Sequence, residues 1–167
     1  MVTANCNVPP LMSMLPAYEH RLMPSAYDAA SAALFRCFGG IRRLREEALD
    51  RAGVKAGTSV LELGCGTGGF TALMTDRGAV ITAFDGSRTM LERARKSVEG
   101  PAYRQAKMED LSLSDEFEIV LAAFLMHELS PPVRARLLRQ CLDALSPDGK
   151  LVIVDNSVPR GMWWSLL

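Results

Sequence analysis

An α/β domain on a parallel sheet is predicted by three features of this chain. From Thr58 onward, short apolar runs alternate with segments of helical periodicity. The first run, within Val60 to Phe70, ends in Gly64-Cys65-Gly66-Thr67-Gly68-Gly69, which reads as a strand, a tight turn and the start of a helix whose free N–H groups face the turn. Asp85 then closes the second run, roughly 20 residues after the glycines. Repeated strand–helix units imply a sheet of about five parallel strands with helices on both faces.

The elements follow in order. Residues 1–24 carry Pro9, Pro10, Pro16 and Pro24 among scattered methionines, which suits an irregular arm. Ser25 can cap a helix through AYDAASAALFRCF, and Gly39-Gly40 breaks it before a second helix, IRRLREEALDRA, ending at Gly53. Ile41, Leu44, Ala48, Leu49 and Ala52 form the apolar stripe of that second helix. Strands are expected at Ser59 to Leu63, Ala79 to Phe84, Ala102 to Gln105, Phe117 to Phe124 and Lys150 to Asp155. Helices should begin near Gly69, Ser87 and Ser130, the last with Pro131 and Pro132 in its first turn and a Ser146-Pro147-Asp148-Gly149 turn after it. Only Lys107 to Glu116 separate the third and fourth strands, too few for a regular helix. The organisation is an arm with lid helices over 1–53, a ligand-binding core over 54–155 and an apolar tail over 156–167, in one structural domain.

Composition narrows the function. A chain of 167 residues at 49% hydrophobic content is one packed core. Lys plus Arg and Asp plus Glu both number 19, so no net field draws the protein to nucleic acid or an anionic membrane, which favours a small-molecule partner. Cys6, Cys37, Cys65 and Cys141 are widely spaced, which argues against a zinc site or a disulfide framework and suits a reducing cytoplasm. No metal site is expected. No stretch approaches the ~18 apolar residues of a membrane span.

The glycine spacing alone leaves two cofactor classes open. Gly64, Gly66 and Gly69 satisfy GxGxxG, the dinucleotide pattern. An ionised Glu62, however, would repel a pyrophosphate at the turn and hold an ammonium group there. Glu62, Gly64, Gly66 and Gly68 match acid-x-Gly-x-Gly-x-Gly, and here the chain resembles the class I S-adenosylmethionine-dependent methyltransferases. That resemblance covers about Val54 to Asp155 and implies a Rossmann-like sheet with S-adenosylmethionine as cofactor. Backbone groups of the turn, including Cys65 and Thr67, would approach the methionine part, with Cys65 a small residue and not a nucleophile. In open parallel sheets a ligand lies at the carboxyl ends of the strands, so Asp85, followed by Gly86, is placed to accept from vicinal ribose hydroxyls. It could instead cap the next helix, although Ser87 is itself a competent cap.

The segment DGSRTMLERAR resembles the stretch after the second strand in quinone and small-molecule methyltransferases. There Met90 would lie against the adenine; at helical spacing with Leu91 and Ala94 it could equally be core. In KMEDL the family's adenine-binding Asp is replaced by Lys107, which has only donors, so that contact must come from elsewhere, such as Glu109 or Asp110, while Met108 can offer its N–H. FEIVLAAFLMHEL also resembles the family: Ala122 and Ala123 leave room for the sulfonium, and His127 with Glu128 stands at the pocket mouth. His127 could remove a proton from an acceptor, or could simply bond a neighbouring backbone group. Tyr27-Asp28 resembles a Tyr-Asp pair near the start of the ubiquinone and menaquinone methyltransferases, in which the tyrosine reaches toward the cofactor.

The family sheet normally continues with a helix and an antiparallel strand pair, but only twelve residues follow Asp155. The fifth strand is therefore expected at a sheet edge, with truncation, a covering tail, a homodimer through that edge or the apolar tail, and a tail touching a membrane as the alternatives. The function expected is methyl transfer from S-adenosylmethionine to a small, neutral or apolar acceptor. A non-catalytic cofactor-binding module and a nicotinamide-dependent oxidoreductase are the rivals.

Overall fold

In the computed structural model the described residues are 40–113 and 116–155, with a few positions between 19 and 33. The predicted first helix falls largely outside them, and Tyr27 and the 156–167 tail wholly so. Helix α1 spans Ile41–Ala52 and stops at Gly53, whose left-handed φ of 84° lets its N–H reach back to the Leu49 and Asp50 carbonyls. Strand β1 (Ser59–Leu63), helix α2 (Gly69–Asp76), strand β2 (Val80–Asp85), helix α3 (Arg88–Ser97) and strand β3 (Ala102–Gln105) follow. Strand β4 (Phe117–Ala123), a 3-10 turn (Met126–Glu128), helix α4 (Pro131–Asp143) and strand β5 (Leu145–Val154) complete the order.

The five strands pair in the order β3-β2-β1-β4-β5, all parallel. Val60, Leu61 and Leu63 of the central strand are fully buried, as expected of a strand covered on both faces. Its side chains alternate between two cores. Val60 joins Leu49, Phe70, Met74 and Leu121 on one side; Leu61 and Leu63 join Val120, Ala122, Leu137 and Cys141 on the other. The order reverses at β1, which pairs β2 on one edge and β4 on the other. The carboxyl ends of those strands therefore open a crevice.

Strand bounds differ slightly from the sequence expectation. β2 runs Val80–Asp85, so Asp85 still pairs, opposite Gln105, and β4 stops at Ala123. β5 begins at Leu145 because that residue already pairs Phe117; the ladder then skips to Lys150 opposite Ile119, so Ser146-Pro147-Asp148-Gly149 bulges out between the two pairings. No helix lies between β3 and β4 among the described residues. Helix α1 is fastened to the sheet by Lys150, whose ammonium donates to the Ala52 carbonyl at 3.1 Å. Arg77 ties it from the other side, donating to the Glu46 carbonyl at 3.2 Å and pairing Asp50 at 2.8 Å.

Candidate active site

The glycine turn is locked to the end of β2. The N–H groups of Gly64 and Cys65 both donate to the Phe84 carbonyl, at 2.8 and 3.0 Å, and Gly68 closes the turn onto the Cys65 carbonyl. Asp85 completes the lock: one carboxylate oxygen accepts the Gly66 N–H at 2.7 Å and the other the Ser87 N–H at 2.8 Å. Burial pushes the Asp85 carboxyl above its ordinary range, and these two bonds oppose the shift. Ser87, itself buried, caps α3 by accepting the Met90 N–H.

An open cleft lies over this turn, at the carboxyl ends of β1, β2 and β4. Of the residues named from sequence, Gly64, Gly66, Asp85, Gly86, Met90, Met108, Glu109 and Ala123 line it together. Met90 and Met108 are buried as well as lining, so for Met90 the core and cleft readings coincide. Lys107 lines the cleft too, and α4 pins its loop: Arg136 donates to the Glu109 carbonyl and Gln140 to the Leu111 carbonyl.

The remaining named residues stand behind the lining. Cys65 is buried and its thiol is pushed up by burial first and then by the nearby Glu62 and Asp85 carboxylates, which leaves it inert at neutral pH. Thr67 and Gly68 carry the turn into α2, with Gly68 at its N-terminal boundary. Glu62 is 2% exposed beneath the turn, where it accepts the Thr71 hydroxyl at 2.6 Å. Burial drives its carboxyl up to about 8, against the Thr71 bond and the Arg45 guanidinium, which both favour the charged form. Arg45 comes from α1, its guanidinium 5.6 Å from the centre of the Phe70 ring.

Gly66 offers the most direct test of what the cleft admits. Its φ is 54°, and a Cβ placed there meets no protein atom within 4 Å although the residue lines the cleft. Gly66→Ala is expected to fold, at a left-handed cost of about 1–2 kcal/mol, while its methyl intrudes on the ligand's space. Calorimetry should show the affinity for S-adenosylhomocysteine falling by an order of magnitude or more, with an unchanged circular dichroism spectrum.

Sequence reasoning passed over several residues at the far end. Phe124, Leu125 and Leu129 line the cleft but carry no polar signal by which to find them. Phe124 has a φ of 53°, uncommon for a bulky side chain, and its N–H bonds the Val154 carbonyl at 2.7 Å. His127 is not among the lining residues; its neighbour Glu128 is. The His127 imidazole meets Asp155 at 2.6 Å through Nδ1, and its backbone N–H meets the other Asp155 oxygen at 3.0 Å.

Glu19 was equally illegible, because its partners lie about 70 residues on. Its carboxylate accepts the Arg88 N–H at 2.9 Å and its carbonyl accepts the Thr89 hydroxyl at 3.0 Å, at the start of α3 beside the Asp85 loop. Such a bond at a helix N-terminus is worth about 1 kcal/mol. Glu19→Ala is accordingly expected to speed dissociation of S-adenosylhomocysteine several-fold in stopped flow, and an unchanged rate would show that the arm plays no part in retention.

With the geometry in view, comparison with known proteins is direct. Residues 60–149 match the family model described as a methyltransferase domain. An uncharacterised methyltransferase of Synechocystis sp. is 29% identical over 143 residues, covering 84% of this chain and 68% of the relative. A ubiquinone/menaquinone biosynthesis C-methyltransferase of Vibrio campbellii is 32% identical over 133 residues, covering 72% of this chain and 50% of the relative. The chain thus spans half to about two thirds of the length of these relatives. A solved complex of DhpI with SAM and HEP superposes with a TM-score of 0.73 at 26% identity, over 92% of this chain and 69% of that one. The sheet order, the glycine turn closed by Asp85 and a family match over more than half of its length lead to one conclusion: the chain belongs to the class I S-adenosylmethionine-dependent methyltransferases.

Proposed function

We propose that this chain binds S-adenosylmethionine in the cleft and transfers its methyl group to a small acceptor entering beside Glu128. The observation that carries this reading is the pairing of an open Gly66 with an acceptor-only Asp85 carboxylate at the end of β2. The donor set fits the cofactor. Asp85 would take the ribose hydroxyls, Gly64 and Gly66 would let the backbone approach the methionine part, and Met90 and Met108 would flank the adenine. Glu62 lies beneath the turn without lining the cleft, where burial keeps its proton on; a cationic ligand group at the turn would favour its ionised form, and a pyrophosphate would not. When bound, the cofactor supplies a methyl group already activated on a positively charged sulfur. The chain's own task is then to orient the acceptor, exclude water and hold any proton released.

Leu125, Leu129 and Phe124 give the acceptor end an apolar wall, which favours a neutral, largely apolar acceptor with one polar group directed at Glu128. The arm and first lid helix would complete it, with Glu19 as a fastening point, whereas α1 is held to the sheet through Lys150 and Arg77. A cytoplasmic setting suits the buried free thiols of Cys65 and Cys141, and among the described residues no helix is long and apolar enough to cross a membrane. A homodimer through the β5 edge, outermost among the described strands, or through the apolar tail is the oligomeric reading, and sedimentation tests it.

Calorimetry with S-adenosylmethionine, S-adenosylhomocysteine and NADH tests the cofactor, and binding of NADH alone would overturn the reading. Labelled cofactor incubated with quinones, phenols, amines and lipids then tests turnover. Tight binding without methylated product across that panel would favour the non-catalytic module.

A further inference from the structure

We propose that Asp155 is a positioning residue that fixes the ring of His127 beside Glu128 and so shapes the acceptor end of the cleft. The inference rests on the methyl-transfer reading above and adds Asp155 and His127 to it. Asp155 is the first residue after β5, and His127 lies in the 3-10 turn after β4, so the two meet only because β4 and β5 are sheet neighbours. One aspartate grips the histidine twice: Oδ2 accepts the backbone N–H at 3.0 Å and Oδ1 stands 2.6 Å from Nδ1. Two grips from one carboxylate set both where the turn runs and how the ring is rotated.

The preceding residues of β5 and of the turn repeat the arrangement. Val154 takes the N–H of Phe124, the residue held at a φ of 53°. A bulky residue keeps that conformation only where its surroundings impose it. The carboxyl end of β5 therefore dictates the whole course of residues 124–128. That segment delivers Phe124, Leu125 and Glu128 into the cleft wall. The ring's second nitrogen, Nε2, is left 4.0 Å from the Glu128 carboxylate, and the His127 side chain is 42% exposed. The row Asp155, His127, Glu128 thus runs from β5 to the cleft and has access to solvent.

A carboxylate at Nδ1 selects the ring form that carries its proton there and leaves the Nε2 lone pair facing Glu128. Only in that form can the imidazole take a proton passed on by Glu128 and release it to water. Acceptors whose reacting atom carries an O–H or N–H are the class this row serves. Glu128 would accept the hydrogen bond, and the chain would not have to leave a proton stranded in an apolar wall.

The ring proton is read by nitrogen NMR of imidazole-labelled protein, without any ligand. Wild type should show the neutral His127 ring protonated at Nδ1, and Asp155→Asn should shift the population toward Nε2 protonation. A wild-type ring protonated at Nε2, or an identical spectrum in the variant, would overturn the proposal. The melting temperature of the variant is expected within a few degrees of wild type (about 2–4 °C per kcal/mol at this size) and its S-adenosylhomocysteine affinity within about twofold, separating lost positioning from lost folding or cofactor binding. With the best acceptor of the phenol and amine panel, Asp155→Asn should lose roughly 10- to 100-fold in kcat with KM little changed. Asp155→Glu should recover part of the loss, and full wild-type turnover in Asp155→Asn would also overturn the proposal. Failure of S-adenosylhomocysteine to bind wild type would instead remove the methyl-transfer reading while leaving the ring measurement intact.

Discussion

Asp85→Ala is expected to weaken S-adenosylhomocysteine binding by 100-fold or more, a loss of about 3 kcal/mol. The carboxylate has two structural duties before any ligand arrives, because it accepts the Gly66 and Ser87 N–H groups at 2.7 and 2.8 Å. Truncation leaves both donors without that acceptor in a part-buried loop, at up to about 1–3 kcal/mol each. It also deletes the acceptor proposed for the ribose hydroxyls. Both effects fall on the same ligand, since Gly66 and Asp85 line the same cleft. Asp85→Asn should be milder, about tenfold, because the amide keeps one acceptor but turns a donor toward a backbone N–H. Calorimetry at fixed pH, with thermal melting in parallel, measures the two parts. An affinity within threefold of wild type in Asp85→Ala would sink the assignment of the ribose end.

Glu62 is expected to make both stability and cofactor binding depend on pH, in opposite directions. Its folded-state value of about 8 lies above the ordinary 4.5, principally because it is buried. Between those values the unfolded chain has released the proton that the folded chain retains, so the unfolded state binds fewer protons. Stability is therefore greatest below the lower value and falls as pH rises through the window, by up to about 1.4 kcal/mol per pH unit. Glu62→Gln should flatten that slope and melt no lower than wild type at pH 8. A cationic ligand group at the turn does the reverse: it favours the ionised acid, so binding near pH 7 should release a proton and tighten from pH 6 to 8. Calorimetry in two buffers of different ionisation enthalpy counts that proton. In Glu62→Gln the affinity at pH 8 should drop about tenfold or more and the proton release should vanish. Retention of full affinity by this variant would eliminate the electrostatic basis for choosing the methyl donor.

The parts of the fold that could be read in advance are those governed by local rules. Ile41–Ala52, Ser59–Leu63 and Ala102–Gln105 have the predicted bounds, because a left-handed glycine or a change of hydrophobic period marks their ends. β5 was harder to bound: Leu145 belongs to it only through its partner Phe117, and nothing local announces that pairing. The glycine-turn side of the cleft was legible for a similar reason: Gly64, Gly66 and Asp85, named from their places at the ends of consecutive strands, line it together. Glu62 was placed correctly in sequence but stands one layer below the cleft, because strand alternation sends its side chain under the turn toward Thr71. Asp155 and Glu19 had no signal at all. Their meaning comes from partners 28 and about 70 residues away, which only the closed sheet brings near.

The crevice lies where β1 meets β4, and between those strands the chain builds β2 and β3 first. A chain synthesised as far as Gln105 already contains the glycine turn, Asp85 and Met90, yet it has no wall opposite them. That wall arrives when Phe117–Ala123 docks against Ser59–Leu63, a long-range parallel pairing of the kind that forms slowly. Ligand capture during refolding would therefore report the docking of β4 onto β1. A fluorescent cofactor analogue added at the start of refolding should brighten with the slow phase, whereas helix signals from α1 to α3 develop earlier.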